Sequence, residues 1–386
     1  MKKSYFKTIA IAIILISLMI SMILFPKETY SAAERGLNMW WGIVFPSLLP
    51  FLVIGELLGS FGIVAFLGVL LEPIMRPIFR VPGVGGFVMA LGMVSGFPAG
   101  AKMTANLRKQ EQLTKVEAER LVGFTNTANP LFIFGAIAIG FFHEPRIGII
   151  LAIAHYGGNL LVGFLMRFHG RNNHRTAQQI KTKVTLSSAI NAMHQTRVRE
   201  TRAFGKIFAD AVSSAVQTLL MIGGFIIIFS VLNKILFEIG STNLISQVLQ
   251  LFLPDSLTNS IVAGFFEMTL GIQLASSAKA PMLLTMILVS VILGFAGLSI
   301  HAQVASILAE TDISYKPFLL AKLLHATLAG SITYFLMIQT TWVENVFQRI
   351  QFPKVEMITY SKGPTFTLSI LVLYAVFYGL QMIKKY

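Results

Sequence analysis

Ser95-Gly-Phe-Pro-Ala-Gly-Ala-Lys102 interrupts a chain that is apolar almost everywhere. It follows the apolar run Val84–Leu91 and sets glycines, a proline and a lysine where a membrane segment would need continuous helix. Glycine and proline break helices and bare backbone amides and carbonyls. In hydrocarbon, such groups are tolerated only where protein or a water-filled cavity surrounds them. The stretch is therefore either a loop outside the membrane or part of a site within it.

Composition supplies the membrane. The chain is 55% hydrophobic and 12% charged, where soluble proteins carry about 25% charged residues, and its mean hydropathy is +0.72. Segments near the roughly 20 apolar residues that cross a bilayer are Ile9–Phe25, Met39–Leu58, Leu121–Phe142, Ile147–Phe168, Ala209–Leu232, Met282–Leu308, Pro317–Met337 and Phe366–Ile383. The expectation is an all-α polytopic membrane protein of about eight transmembrane helices. The absence of cysteine excludes disulfides, thiolate metal sites and Fe–S clusters. The 31 Lys+Arg against 17 Asp+Glu read as basic cytoplasmic loops rather than a nucleic-acid surface. Walker-type phosphate loops, HExxH and Ser nucleophile elbows are missing, so neither an enzyme nor a cofactor is expected.

The segment 170–206 holds Arg171, Arg175, Lys181, Lys183, Arg197, Arg199, Arg202 and Lys206 against the single acid Glu200. It reads as a flexible or partly helical cytoplasmic linker. The same side then takes Arg108, Lys109, Lys115, the basic N-terminus and Lys384-Lys385. Residues 1–35 read as an uncleaved, signal-like first helix, and 339–386 as an extracytoplasmic loop with a last helix.

The remaining segments, 36–169 and 207–338, repeat one order of elements. Each has a span, a short segment suited to the interface (Phe61–Arg80; Asn233–Leu253), an interrupted segment (Val84–Leu107; Ser260–Ala280) and two further spans. The last spans share detail: Ile153-Ala-His155 and Leu323-Leu-His325 both precede small residues. Three crossings per half make the halves inverted in the membrane, a signature of secondary transporters with midplane sites. Val84–Val94 amounts to about 16 Å of helix, half a bilayer. Each repeat is therefore expected to hold a re-entrant hairpin. The next span of each is broken as well, at Phe124-Thr-Asn-Thr-Ala-Asn-Pro130 and at Gly294-Phe-Ala-Gly-Leu-Ser-Ile-His-Ala-Gln303.

Candidate substrate-binding residues cluster at these breaks: Ser95, Gly96, Phe97, Pro98, Gly100 and Lys102 in the first hairpin, Asn126, Thr127 and Asn129 beyond it, then Glu267, Ser299, His301 and Gln303. Lys102 near a helix N-terminus attracts an anion, or else snorkels to the cytoplasm. Glu267 suits a coupling proton, a substrate donor, or a structural pairing with histidine or lysine. The amides and hydroxyls suit a polar substrate or freed backbone, and His155 and His325 read as helix-packing groups.

Gly36-Leu-Asn-Met-Trp-Trp-Gly-Ile-Val-Phe-Pro-Ser-Leu-Leu-Pro-Phe51, Arg80-Val-Pro-Gly-Val-Gly-Gly-Phe87, Ser95–Lys102 and Phe124-Thr-Asn-Thr-Ala-Asn-Pro-Leu-Phe132 resemble the sporulation integral membrane protein family YlbJ (SpoVV). The resemblance covers nearly the whole chain and is strongest from Gly36 to Arg167. It implies a nucleoside-recognition or gate domain and an architecture like that of concentrative nucleoside transporters. It further implies movement of dipicolinic acid out of the mother cell through the outer forespore membrane. The acidic hairpin motifs of nucleoside transporters are not reproduced, and Lys102 in their place favours an anion. The partners expected are dipicolinate, which the resemblance implies, and the lipid bilayer, with coupling to a proton, to sodium or to neither left open and an oligomer allowed. A nucleoside or nucleobase transporter and a non-transporting sporulation scaffold stand as alternatives. A protease confined to the cytoplasmic face is expected to cut within 170–206; cleavage there only from the opposite face would reverse the orientation.

Overall fold

A proline placed after an apolar helix redirects the chain at its first corner. The computed structural model describes residues 2–170, 185–251 and 253–339, and every regular element among them is helical. Helix α1 (Lys2–Leu24) ends before Pro26, which starts α2 (Pro26–Met39) at the position where its missing N–H costs nothing; the chain bends there by 99°. A π-helical segment, Trp40–Val44, carries α2 into α3 (Phe45–Ser60), and α4 (Ile63–Phe79) leaves α3 at 83°. The turn between them needs Gly62 at φ 79°, where an added Cβ would sit 2.5 Å from the Met193 carbonyl oxygen.

The chain continues through α5 (Val84–Ser95), α6 (Ala99–Lys109), α7 (Lys115–Thr125), the π-helical segment Leu131–Phe141 and α8 (Pro145–Met166). Next among the described residues come α9 (Leu186–Arg199), α10 (Phe204–Glu238) and α11 (Asn243–Gln250). Last are α12 (Asp255–Phe266), α13 (Met268–Ser277), α14 (Met282–Phe295), α15 (Gly297–Leu308) and α16 (Tyr315–Ile338). These elements form one unit ending at Ile338. The expected span Phe366–Ile383 lies outside the described residues.

Among the described residues, α8, α10, the α14–α15 pair and α16 are each long and apolar enough to cross a membrane, and counting each bent pair as one span gives six. Leu121–Phe142 is broken where the sequence expected it: α7 stops at Thr125, and a π-helical segment resumes beyond Pro130. Expected and observed elements differ in two places. The second half does not turn at Leu232, because α10 runs on to Glu238, supported by the Lys234–Glu238 ion pair one turn apart at 2.5 Å. It ends only where Gly240 takes φ 72°. The boundary drawn at residue 35 falls inside α2, whose Gly36 lies against α10; an added Cβ would be 3.0 Å from the Ile227 Cα.

The two interrupted segments are hairpins, folded back through glycine. A Cβ on Gly92 of α5 would fall 2.1 Å from the Thr125 carbonyl oxygen and 3.4 Å from the Cα of Gly100 in α6. A Cβ on Gly271 of α13 would fall 2.2 Å from the Cα of Gly264 in α12. In the second hairpin the arms touch backbone to backbone, and in the first Gly92 and Gly100 both close on the Thr125 carbonyl of α7, so no side chain fits at either place.

At the end of the unit that carries Arg108 and Lys109, ion pairs tie the first half to the second. The Arg108 guanidinium donates to both Asp312 carboxylate oxygens at 2.9 Å and to the Leu113 carbonyl. That hydrogen bond holds the Asp312 carboxyl below its usual range. Glu119 accepts from the Ser314 amide at 3.1 Å and pairs with the His169 ring at 2.7 Å. Of the linker, α9 is ordered against α4, with Arg197 5.4 Å from the Phe61 ring centroid.

Replacing Gly271 by valine should cost more than the about 1–3 kcal/mol usual for overpacking, because the obstacle is backbone. Gly224→Ala, with nothing within 4 Å of the added carbon, should be neutral or slightly stabilising. Thermal melting of the detergent-purified proteins separates the two outcomes.

Candidate functional site

The two hairpin tips meet the two helix breaks. Gly96, at φ 81°, leaves α5 and packs its Cα on Asn129, where an added Cβ would lie 3.2 Å from the Asn129 Cβ. Phe97 and Pro98 then lead into α6. The second tip is the single extended residue Glu267 between α12 and α13. Its carboxylate accepts the Thr269 amide at 3.1 Å and the Leu270 amide at 2.7 Å, so Glu267 caps α13. Gly297, at φ 72° in the α14–α15 break, lies against this tip.

A cavity of about 560 Å³ opens between the tips, within the about 300–1,000 Å³ of small-molecule sites. Gly96, Phe97, Asn129, Glu267 and Thr269 line it with Phe132, Met268, Ile300 and Pro46, and α10 closes one wall with Ile222 and Ile226. Its walls are mainly apolar, with an amide, a hydroxyl and a capped carboxylate among them.

Breaking α7 frees backbone groups that must be satisfied inside the protein. Asn159 of α8 donates to the Phe124 carbonyl. Lys322 of α16 donates to the Asn126 carbonyl. The His155 ring accepts the Ala128 amide at 3.0 Å, and the Tyr156 hydroxyl donates to the Ala128 carbonyl at 3.0 Å. Asn129 caps the π-helical segment by accepting the Phe132 amide at 2.7 Å. The other break is served locally, by His301 between the Phe295 carbonyl at 2.9 Å and the Tyr315 hydroxyl at 2.7 Å.

Of the residues singled out from sequence, Gly96, Phe97, Asn129 and Glu267 come together on the cavity wall. The others lie outside its lining. Pro98 sits at the N-terminus of α6, and Gly100 packs on the Thr125 carbonyl. Thr127 reaches the Gly92 carbonyl at 3.4 Å, and Gln303 reaches the Ser299 hydroxyl at 3.5 Å. Ser95, Ser299, Asn126 and His301 are buried among the helices. Lys102 faces α3 and α10: its ammonium is 3.1 Å from Glu56 and donates to the hydroxyls of Ser214 and Thr218 at 2.9 and 2.7 Å. Its charge is thus balanced within the protein and does not face the cavity.

Lys322 was not among the sequence candidates. It is fully buried, stands about 10 Å along α16, and lies 5.1 Å from the centroid of the cavity-lining Phe97 ring. The available signal was its place inside an otherwise apolar span, where any ionisable group calls for a role.

The fold and this site define an all-helical integral membrane protein with a small-molecule cavity between paired hairpins. Residues 41–145 match the Gate family, described as nucleoside recognition. The sporulation integral membrane protein YlbJ of Bacillus subtilis (strain 168) is 51% identical over 351 residues, covering 89% of this chain and 86% of that protein. The chain therefore belongs to the YlbJ sporulation integral membrane protein family. Adenosylcobinamide-GDP ribazoletransferase of Listeria monocytogenes serovar 1/2a is 30% identical over 82 residues, 19% of this chain and 33% of that enzyme. A solved structure of a CNTnw variant in an outward-facing state overlaps 86% of this chain and 85% of its own, at 14% identity and TM-score 0.39.

The Lys102–Glu56 contact makes a double substitution informative. Lys102→Met alone leaves Glu56 without its cation and should lower the yield of folded protein several-fold. Lys102→Met with Glu56→Met should restore most of it, as measured by size-exclusion chromatography, and should leave ligand affinity near wild type.

Proposed function

We propose that this protein carries a small planar organic anion across a membrane, and specifically dipicolinate out of the mother cell across the outer forespore membrane. The observation that carries the reading is one small-molecule cavity bounded by both hairpin tips, with Phe97 and Asn129 on one side and Glu267 on the other. A transport path needs a site that two mobile halves share, since alternating access works by moving one half against the other. Family membership supplies the sporulation context, and dipicolinate is the substrate that the family resemblance implies. Its flat ring suits the Phe97 and Phe132 walls, and its carboxylates suit the Asn129 amide and the Thr269 hydroxyl. A nucleoside is the second reading, favoured by the description of the matching family and by the same ring-and-amide lining.

Purified protein in liposomes is expected to give saturable dipicolinate flux that uridine does not compete. Competition by uridine with no dipicolinate flux would replace the first reading by the second. Phe97→Leu should raise the half-saturation concentration about 2–12-fold, the equivalent of the about 0.5–1.5 kcal/mol of an aromatic contact. Deletion of the gene should leave dipicolinate in the mother cell and spores poor in it; spores of normal content would end the transport reading.

A further inference from the structure

Lys322 is a fully buried lysine of the helical unit. Lys102 has Glu56 and Arg76 has Glu72 and Glu117, whereas no carboxylate among the described residues pairs with Lys322. Its ammonium carries three donors. The contacts it makes are a hydrogen bond to the Asn126 carbonyl and the rings of Phe97 and Phe318, at 5.1 and 5.9 Å. A buried cation without counter-charge is held at a large desolvation cost unless it sheds its proton or an anion joins it.

The groups around it are unfinished in the same way. Both side-chain amide atoms of Asn126 are buried without a hydrogen-bond partner, as are the Nδ1 atoms of His155 and His325. The two imidazoles lie with their centroids 4.6 Å apart, tilted by 41°, and His155 holds the Ala128 amide of the same break. Buried polar atoms normally find partners, so such a cluster beside a lone ammonium marks a place for a polar ligand.

We propose that Lys322 and the Asn126 side-chain amide form an anion subsite behind Phe97 that takes one carboxylate of the substrate. This rests on the organic-anion reading above and names the charge that the cavity wall itself lacks. Phe97 is the partition: its ring lines the cavity and also lies against the ammonium. Turning that ring aside joins cavity and subsite, so that the substrate ring replaces Phe97 beside the cation and a carboxylate reaches Lys322. Recognition is thereby by charge as well as shape, and a neutral ligand of the same outline gains nothing from the subsite.

Binding by isothermal titration to the purified full chain tests this with three probes: dipicolinate, the single-carboxylate picolinate, and the neutral dimethyl ester of dipicolinate. Lys322→Met should weaken dipicolinate at least 10-fold and leave the ester within about 2-fold. Asn126→Asp guards against a variant that fails to fold, since it places a carboxylate beside Lys322 and should raise the melting temperature. It should also abolish dipicolinate and picolinate binding and keep the ester. Unchanged dipicolinate affinity in either variant overturns the subsite, and so does an equal loss for acid and ester, the result of a merely structural lysine. Lys322-dependent binding without flux in liposomes overturns the transport reading alone. Flux with Lys322-independent affinity overturns the subsite alone.

Discussion

The carbonyl of Asn126 and the ammonium of Lys322 meet in a place where neither could be left alone. The carbonyl is freed by the end of α7, and the lysine is fully buried on α16. Around them Asn159, His155 and Tyr156 take up the other backbone groups of the break. The break therefore keeps its shape only while α8 and α16 stand against it. Asn129 and the Gly96–Phe97 tip that packs on it inherit their positions from that arrangement, and with them one wall of the cavity.

The two halves solve one problem by different chemistry. In the first, the break draws on side chains from two neighbouring spans. In the second, His301 returns to the Phe295 carbonyl six residues before it, and Glu267 satisfies the amides that follow it. The acidic side chain is consumed in capping, while the basic one retains donors. The polarity of the site is thus set by hydrogen-bond accounting at helix ends rather than by the formal charges of the lining.

All four interruptions were legible in the sequence, because Gly96-Phe-Pro98, Asn126–Pro130, Glu267 and Ala296-Gly297 are each poor continuations of a helix inside an apolar context. The ends of the elements were less so. Asn233-Lys-Ile-Leu-Phe-Glu238 is polar enough to suggest an interfacial piece, yet its residues favour helix and its charges pair within one turn, so α10 continues. The lysines were harder still. Lys102 lies in the short α6 and Lys322 in the apolar α16, and what separates them is a partner distant in sequence: Glu56 for one, and no described acid for the other. Local pattern carries no information on such pairing, which is decided by where α3 and α10 come to lie.

The glycine contacts inside the hairpins have a mechanical consequence. Gly264 and Gly271 set backbone on backbone, and Gly92 and Gly100 close together on the Thr125 carbonyl, with no compressible side chain at either place. Arms held in that condition cannot scissor without collision, so each hairpin is a stiff wedge. Displacement must be taken up at the sliding faces around it, where side chains from α10 and the π-helical segment line the cavity and can change rotamer. The cavity is a gap between two wedges, and its width is governed by how they shift rather than by how they bend.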